Sequence, residues 1–199
     1  MNKEFYKLFE GLTRAHGEYT LNGKLRADGK KEGRATTVRQ DVTLEKWEAH
    51  LTGKKGLGII PINDKSMCKF GAIDIDVYKD LDYESILLKV KSFKLPLYAC
   101  KSKSGGVHLY IFLNEWTSAL IIQTKLKEFA AMLGFGGSEI FPKQTEILAD
   151  RGDIGQWINM PYFGDQRWCN GLSPLEFLKQ IKKVNIEELD TIAEPTGDT

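Results

Sequence analysis

Cysteine is scarce: Cys68, Cys100 and Cys169 are the three in 199 residues. They stand singly, with no Cys-x-x-Cys pair, which argues against both a disulfide framework and a zinc knuckle. All three are expected to be buried thiols that pack as small apolar groups. No apolar run approaches the length of a membrane span. The opening Met1-Asn2-Lys3-Glu4-Phe5 lacks the apolar core of a secretion signal. A cytoplasmic location without membrane contact is therefore expected. Excess charge is missing too. The 28 Lys and Arg residues against 27 Asp and Glu leave a net +1, so the total alone does not call for a nucleic-acid partner. Internal repeats and low-complexity stretches are also absent.

Hydrophobic residues make up 42% of the chain, enough for one substantial core. Phe5 to Leu12 has the spacing of a short amphipathic helix. Gly17 to Gly33 is rich in Gly, Asn and Asp and reads as a loop or loose hairpin. Thr43 can cap a helix with Leu44, Trp47 and Leu51 on its apolar side, stopped by Gly53. Leu57 to Ile62 is a strand candidate. Lys69 to Tyr78 alternates with a period of two and predicts a strand with one apolar face. A helix over Asp82–Phe93, strands over Pro96–Cys100 and Val107–Leu113, and a helix from Ser118 to Leu133 follow. Glu139–Phe141 and Gln156–Met160 predict short strands, and Ser173-Pro174-Leu175-Glu176 is a capping box. The central order β-α-β-β-α-β is that of a ferredoxin-like palm. The fold class is α+β with a mostly antiparallel sheet.

Asp74 and Asp76 carry the chemistry. Two carboxylates at i and i+2 of a strand project from one face, roughly 7 Å apart at the root. They can converge on one or two hard cations, the usual device for displacement at phosphorus. Asp is disfavoured in strands, so two of them inside an apolar strand point to function; an exposed strand face is the plainer alternative. Ser102-Lys103-Ser104-Gly105-Gly106-Val107-His108 is a turn suited to a triphosphate. Its glycines allow close backbone approach, Ser102 and Ser104 offer hydroxyls, Lys101 and Lys103 add charge, and His108 faces the same side as Tyr110 and Phe112. Glu139 can complete a carboxylate triad, with Glu146, Asp150 and Asp153 as rivals. Lys143 can meet phosphate, Gln144 a base or sugar edge, and Asn159 a sugar or base. Trp157, Tyr162 and Phe163 can stack on bases, although core packing is the commoner use, above all for Trp157. The basic residues Lys24, Arg26, Lys30, Lys31, Arg34 and Arg39 can track a phosphate backbone or simply form a solvated loop.

In this order the motifs resemble the archaeo-eukaryotic primase superfamily, chiefly its phage, plasmid and conflict-system members. The likeness rests on Asp74-Ile75-Asp76, on Ser104-Gly105-Gly106-Val107-His108, and on the segments EIFPKQ and GQWINMPYF. It runs from about Phe5 to Phe163. It implies a palm like an RNA-recognition fold plus an N-terminal α/β module, at about 66–184 and 1–65 of a single catalytic domain spanning 1–184. Residues 185–199 would be an acidic tail or linker. It also implies Mg²⁺ or Mn²⁺ on Asp74, Asp76 and Glu139. The substrates would be NTPs or dNTPs, with a single-stranded DNA template and primer and a possible helicase partner. The activity expected is template-directed nucleotidyl transfer by a primase or polymerase. A metal-dependent nuclease, or a palm that only binds nucleic acid, are the alternatives.

Overall fold

The computed structural model describes residues 1–25, 27, 31–76 and 82–192. Two four-stranded antiparallel sheets organise the chain. The first contains β1 (His16–Leu25), β2 (Lys31–Val38), β3 (Gly56–Ile59) and β8 (Ile158–Asn159), in the order β2-β1-β3-β8. The second contains β4 (Met67–Ile75), β5 (Tyr98–Lys101), β6 (Val107–Ser118) and β7 (Glu139–Phe141), in the order β5-β6-β4-β7. With α3 (Tyr83–Ser92) and α4 (Ala119–Met132) between its strands, the second sheet has the ferredoxin-like order that the β-α-β-β-α-β pattern predicts.

Alternation along β4 and β6 divides the core. Ile73, Ile75, Leu109 and Ile111 face the helices and pack with Ile86 and Val90 of α3 and with Ile122, Leu126 and Phe129 of α4. Phe70, Ala72, Tyr110 and Phe112 face the other way. They meet α1 (Asn2–Leu8), α2 (Leu44–Leu51), α5 (Pro174–Gln180) and the segment after β8. The face of β4 opposite the helices is therefore not simply solvated; over most of its length it is a second core. Phe9 is its hub, edge-on to Phe70, Tyr110 and Phe112 at 5.2–5.3 Å between centroids and stacked with Trp47 at 5.8 Å. Burying each such ring contributes about 1.5–3 kcal/mol. This is what fixes the first sheet against the palm.

Local signals set most helix starts. Thr43 and Asp82 accept the amides of Lys46 and Ser85, and Ser173 accepts that of Glu176. Ser118 makes no capping bond; it ends β6 paired with Met67, and α4 grows straight out of the strand.

Of the two readings of the Gly-rich stretch from Gly17, loop or hairpin, the hairpin is the one that forms, as the long paired strands β1 and β2. Other expectations are corrected. After the palm the chain returns to the first sheet, because β8 pairs with β3 and Tyr162 and Phe177 join Phe5 and Trp47 in the aromatic core. The stretch expected as a tail begins with α6 (Ile186–Ile192), whose Leu189 is buried against the palm. Cys100 and Cys169 are not separate thiols. They lie opposite one another in a β-bridge, Cα atoms 4.1 Å apart, as a disulfide. Their separation of 69 residues hid this pairing from any spacing rule. Cys68 is a free buried thiol, its pKa pushed up to about 12 by burial. Among the described residues no helix is long and apolar enough to cross a membrane.

Candidate active site

Where the aromatic core ends, the same face of β4 carries Asp74, with Asp76 just beyond the strand. Asp74 is largely covered and Asp76 is exposed. Strand register supplies the neighbours. Glu139 on β7 and His108 on β6 both pair with Asp74, and Cys100 on β5 pairs with His108. Residues paired across antiparallel strands project from one face about 4.5–5.5 Å apart. Glu139, Asp74 and His108 therefore form a row, and one carboxylate oxygen from each of Asp74, Asp76 and Glu139 lies within 4.8 Å of the others. Among the described residues no other trio of potential ligands converges in this way. The rivals Glu146, Asp150 and Asp153 lie outside it, and Asp153 accepts the Leu148 amide instead.

Three carboxylates make an all-oxygen donor set, the kind that suits Mg²⁺ or Mn²⁺. The residues fit such an ion. Asp74 Oδ1 is buried without a hydrogen-bond partner, an acceptor left unspent. His108 Nε2 lies 3.3 Å from that oxygen, near enough for attraction to a charged ring but not aligned as a hydrogen bond. Lys143 Nζ sits 3.1 Å from Glu139 Oε2 and offsets part of the mutual repulsion. This places Lys143 on the third carboxylate.

His108 is held from behind. Its Nδ1 lies 3.2 Å from the Tyr110 hydroxyl, which donates to the Asn159 carbonyl at 3.0 Å. The phenol hydrogen is spent on Asn159, so the phenol oxygen accepts from Nδ1–H and Nε2 is left facing Asp74. Burial, with the Asp74 charge adding to it, raises the Tyr110 pKa well above its ordinary value and keeps the phenol a neutral donor.

The turn before His108 closes through Ser102 N to Gly106 O at 2.9 Å and Gly105 N to Ser102 O at 3.2 Å. Gly105 adopts φ +94°, open to glycine. At Gly106 a Cβ would lie 2.3 Å from the Ile75 carbonyl oxygen, so only glycine lets the turn sit on the backbone between the two aspartates. The Gly105 amide is consumed inside the turn. Ser102, Lys103 and Ser104 line a cleft beside the turn; Ser102 Oγ is buried without a partner, and Lys103 Nζ lies 3.4 Å from the centre of the Tyr19 ring.

A cleft of about 280 Å³ separates the turn and aspartates from the end of the first sheet. Asp74, Asp76, His108 and Ser102–Ser104 form one wall, and Trp157, Ile158 and Asn159 form the other. Four buried side-chain polar atoms lack partners among the described residues, and three belong to this cleft: Asp74 Oδ1, Ser102 Oγ and Asn159 Oδ1. Each such atom costs about 1–3 kcal/mol when left unmet. Their gathering in one place is what a ligand site requires.

Of the basic residues, Lys24 and Lys31 lie on β1 and β2, while Arg26 and Lys30 fall outside the described residues. Arg34 is exposed on β2, opposite Thr20. By alternation it stands on the face of the sheet turned away from Gly17 and Thr37. Arg39 instead donates to the Gly152 carbonyl. Gln144 accepts the Gln156 amide and braces the strand entering β8. No sequence pattern marked Arg167. Its guanidinium lies 4.8 Å from the Phe163 ring centre and donates to Met160 O, beside Asn159. Burial lowers its pKa to about 10.

This fold is that of an archaeo-eukaryotic primase domain. The structure is similar to the same domain of the cyanophage S-2L primase-polymerase, with a TM-score of 0.51 at 10% identity over 96% of this chain and 95% of that one. That likeness concerns the fold. Over residues 19–192 the chain matches the archaeo-eukaryotic primase domain of TOTE conflict systems, and it belongs to that family. No curated protein matches it.

Proposed function

We propose that the chain joins nucleotides on a DNA template, as a primase, a polymerase or both. The observation that carries this reading is the convergence of three carboxylates at the edge of a cleft that Asp74, Asp76 and the Ser-Gly turn line and that leaves three polar atoms unmet. Membership of a primase-domain family supports nucleotidyl transfer in general terms.

Asp74, Asp76 and Glu139 would hold Mg²⁺ or Mn²⁺. Bound there, such ions supply Lewis-acid chemistry for in-line displacement at phosphorus. The 3′-oxygen of the primer forms a bond to the α-phosphorus of an NTP or dNTP. The bond to pyrophosphate breaks, and the hydroxyl proton leaves to solvent. Ser102, Ser104, Lys103 and His108 receive the triphosphate, with the Gly105-Gly106 backbone shaping the turn. Tyr110 keeps Nε2 of His108 pointing into the cleft. Asn159 offers its free Oδ1 to a sugar hydroxyl or base amine. Lys143 steadies Glu139. The β1–β2 hairpin, with Lys24, Lys31 and Arg34, and with Arg26 and Lys30 between its strands in sequence, meets template phosphates. A single-stranded template with primer is the proposed partner, and a helicase a further one.

The test is a labelled primer on a single-stranded DNA template with Mg²⁺ or Mn²⁺ and either nucleotide set. Lengthened primers that vanish in Asp74→Ala/Asp76→Ala support the reading, and products without primer make the chain a primase. A shortened label indicates a nuclease. An unchanged label on a bound strand indicates a module that only binds.

A further inference from the structure

The geometry points to Trp157 as a nucleobase-stacking shelf in this cleft, a role that rests on the proposed nucleotide chemistry and deepens it. The shelf is built from strand register. Gly17 and Gly58 face each other across β1 and β3, Thr37 flanks Gly17 on β2, and Asn159 flanks Gly58 on β8. Trp157 lies two residues before Asn159 and shares its side of the sheet. A Cβ on Gly17 would stand 2.0 Å from the indole, and one on Gly58 would stand 2.1 Å from it. The ring therefore lies flat on bare backbone, and any other residue at either position would lift it. The indole N–H donates to Thr37 Oγ1 at 3.1 Å, which fixes the ring in its plane.

One face of the ring is thus spent on the glycines. Trp157 nevertheless remains partly exposed and lines the cleft opposite Asp74 and Asp76. Trp157 also packs against the small cluster around Leu12 and Ile62, which holds it further. A rigid π-face beside an unpartnered carboxamide oxygen, across from a triphosphate turn, has the chemistry to take a heterocyclic base. The N–H is already committed to Thr37, so the shelf reads only the flat face of the base and accepts all four alike. The base can come from the incoming nucleotide or from the DNA strand.

The experiment uses the whole chain and two readouts. In the first, tryptophan emission is followed during titration with dATP and, separately, with a single-stranded oligonucleotide. Quenching in wild type that is lost in Trp157→Phe is expected, since Trp47, Trp116 and Trp168 remain as controls. Quenching by dATP assigns the shelf to the incoming nucleotide, and quenching by the oligonucleotide alone assigns it to the DNA strand. In the second, Trp157→Ala raises the KM, or the Kd, for the ligand so identified by about 5- to 150-fold, with little change in kcat and no preference among bases. Trp157→Phe restores most of that affinity. If Trp157→Ala does not fold, the Trp157→Phe titration decides alone. Identical quenching in wild type and Trp157→Phe, or no quenching by either ligand, overturns the shelf even if primers are extended. Quenching specific to Trp157 in a protein that extends nothing upholds the shelf and removes the polymerase reading.

Discussion

Acid unloads His50, a residue outside the chemistry that ties α2 to β3 and to the segment after β8. Its ring is fully buried, edge-on to Trp47 and tilted against Phe163. Its Nε2 donates to the Pro161 carbonyl at 2.7 Å, and its Nδ1 accepts the Leu57 amide at 3.0 Å. Both bonds need the neutral ring, because a proton on Nδ1 would expel the Leu57 donor. Burial lowers the His50 pKa from 6.5 to about 4; the Pro161 carbonyl opposes the shift and the Arg167 charge adds to it. Below pH 6.5 the unfolded chain takes up a proton that the folded chain refuses. Stability is therefore full above 6.5, falls as the pH drops toward about 4, and levels off below. Between about pH 7.5 and 4.5 the loss amounts to about 2–3 kcal/mol. His50→Gln retains a donor and an acceptor but cannot titrate. Urea unfolding at both pH values is expected to show wild type losing about 2–3 kcal/mol more than the variant. Equal losses, within about 0.5 kcal/mol, refute the reasoning.

Glu18 gives a second pH signature. Burial alone would raise its carboxyl, but Lys46, Lys55 and His16 outweigh that and bring it to about 2. Glu18→Gln is expected to cost about 1–3 kcal/mol at neutral pH, discounted because both lysines are partly exposed. The gap to wild type closes as the pH falls from 4.5 toward 2, and urea titrations at those pH values check it. Mn²⁺ at about 100 times its Kd is expected to stabilise the fold by about 2.7 kcal/mol. Thermal melts of Asp74→Asn/Asp76→Asn should show no such gain. Gly106→Ala pushes a methyl against the Ile75 carbonyl and is expected to cost about 1–3 kcal/mol in urea unfolding, with a raised KM for the triphosphate.

Local chemistry was the most legible layer. The period of two around Asp74 and Asp76 announced a strand with both acids on one side, and the caps at Thr43, Asp82 and Ser173 announced helices that form there. The β-α-β-β-α-β order was enough to anticipate the palm sheet. What depended on long-range register was not legible. Only the pairing of β4 with β7 sets Glu139, rather than Glu146, Asp150 or Asp153, beside Asp74. The meeting of Cys100 with Cys169 follows from how the segment after β8 crosses β5. The seat of Trp157 was not legible because nothing in sequence reveals that Gly17 and Gly58, far apart in the chain, are paired beneath it. The Gly-rich opening stretch left loop and hairpin both open because its glycines serve ring packing on paired strands as well as turns.

The most direct test of template-directed transfer at this site is single-nucleotide incorporation opposite each of the four template bases, with Mn²⁺ and one nucleotide at a time, in wild type and Asp74→Asn. The account predicts addition of the complementary nucleotide only, lost in the variant. Addition regardless of the template base, or complementary addition that survives Asp74→Asn, would contradict it.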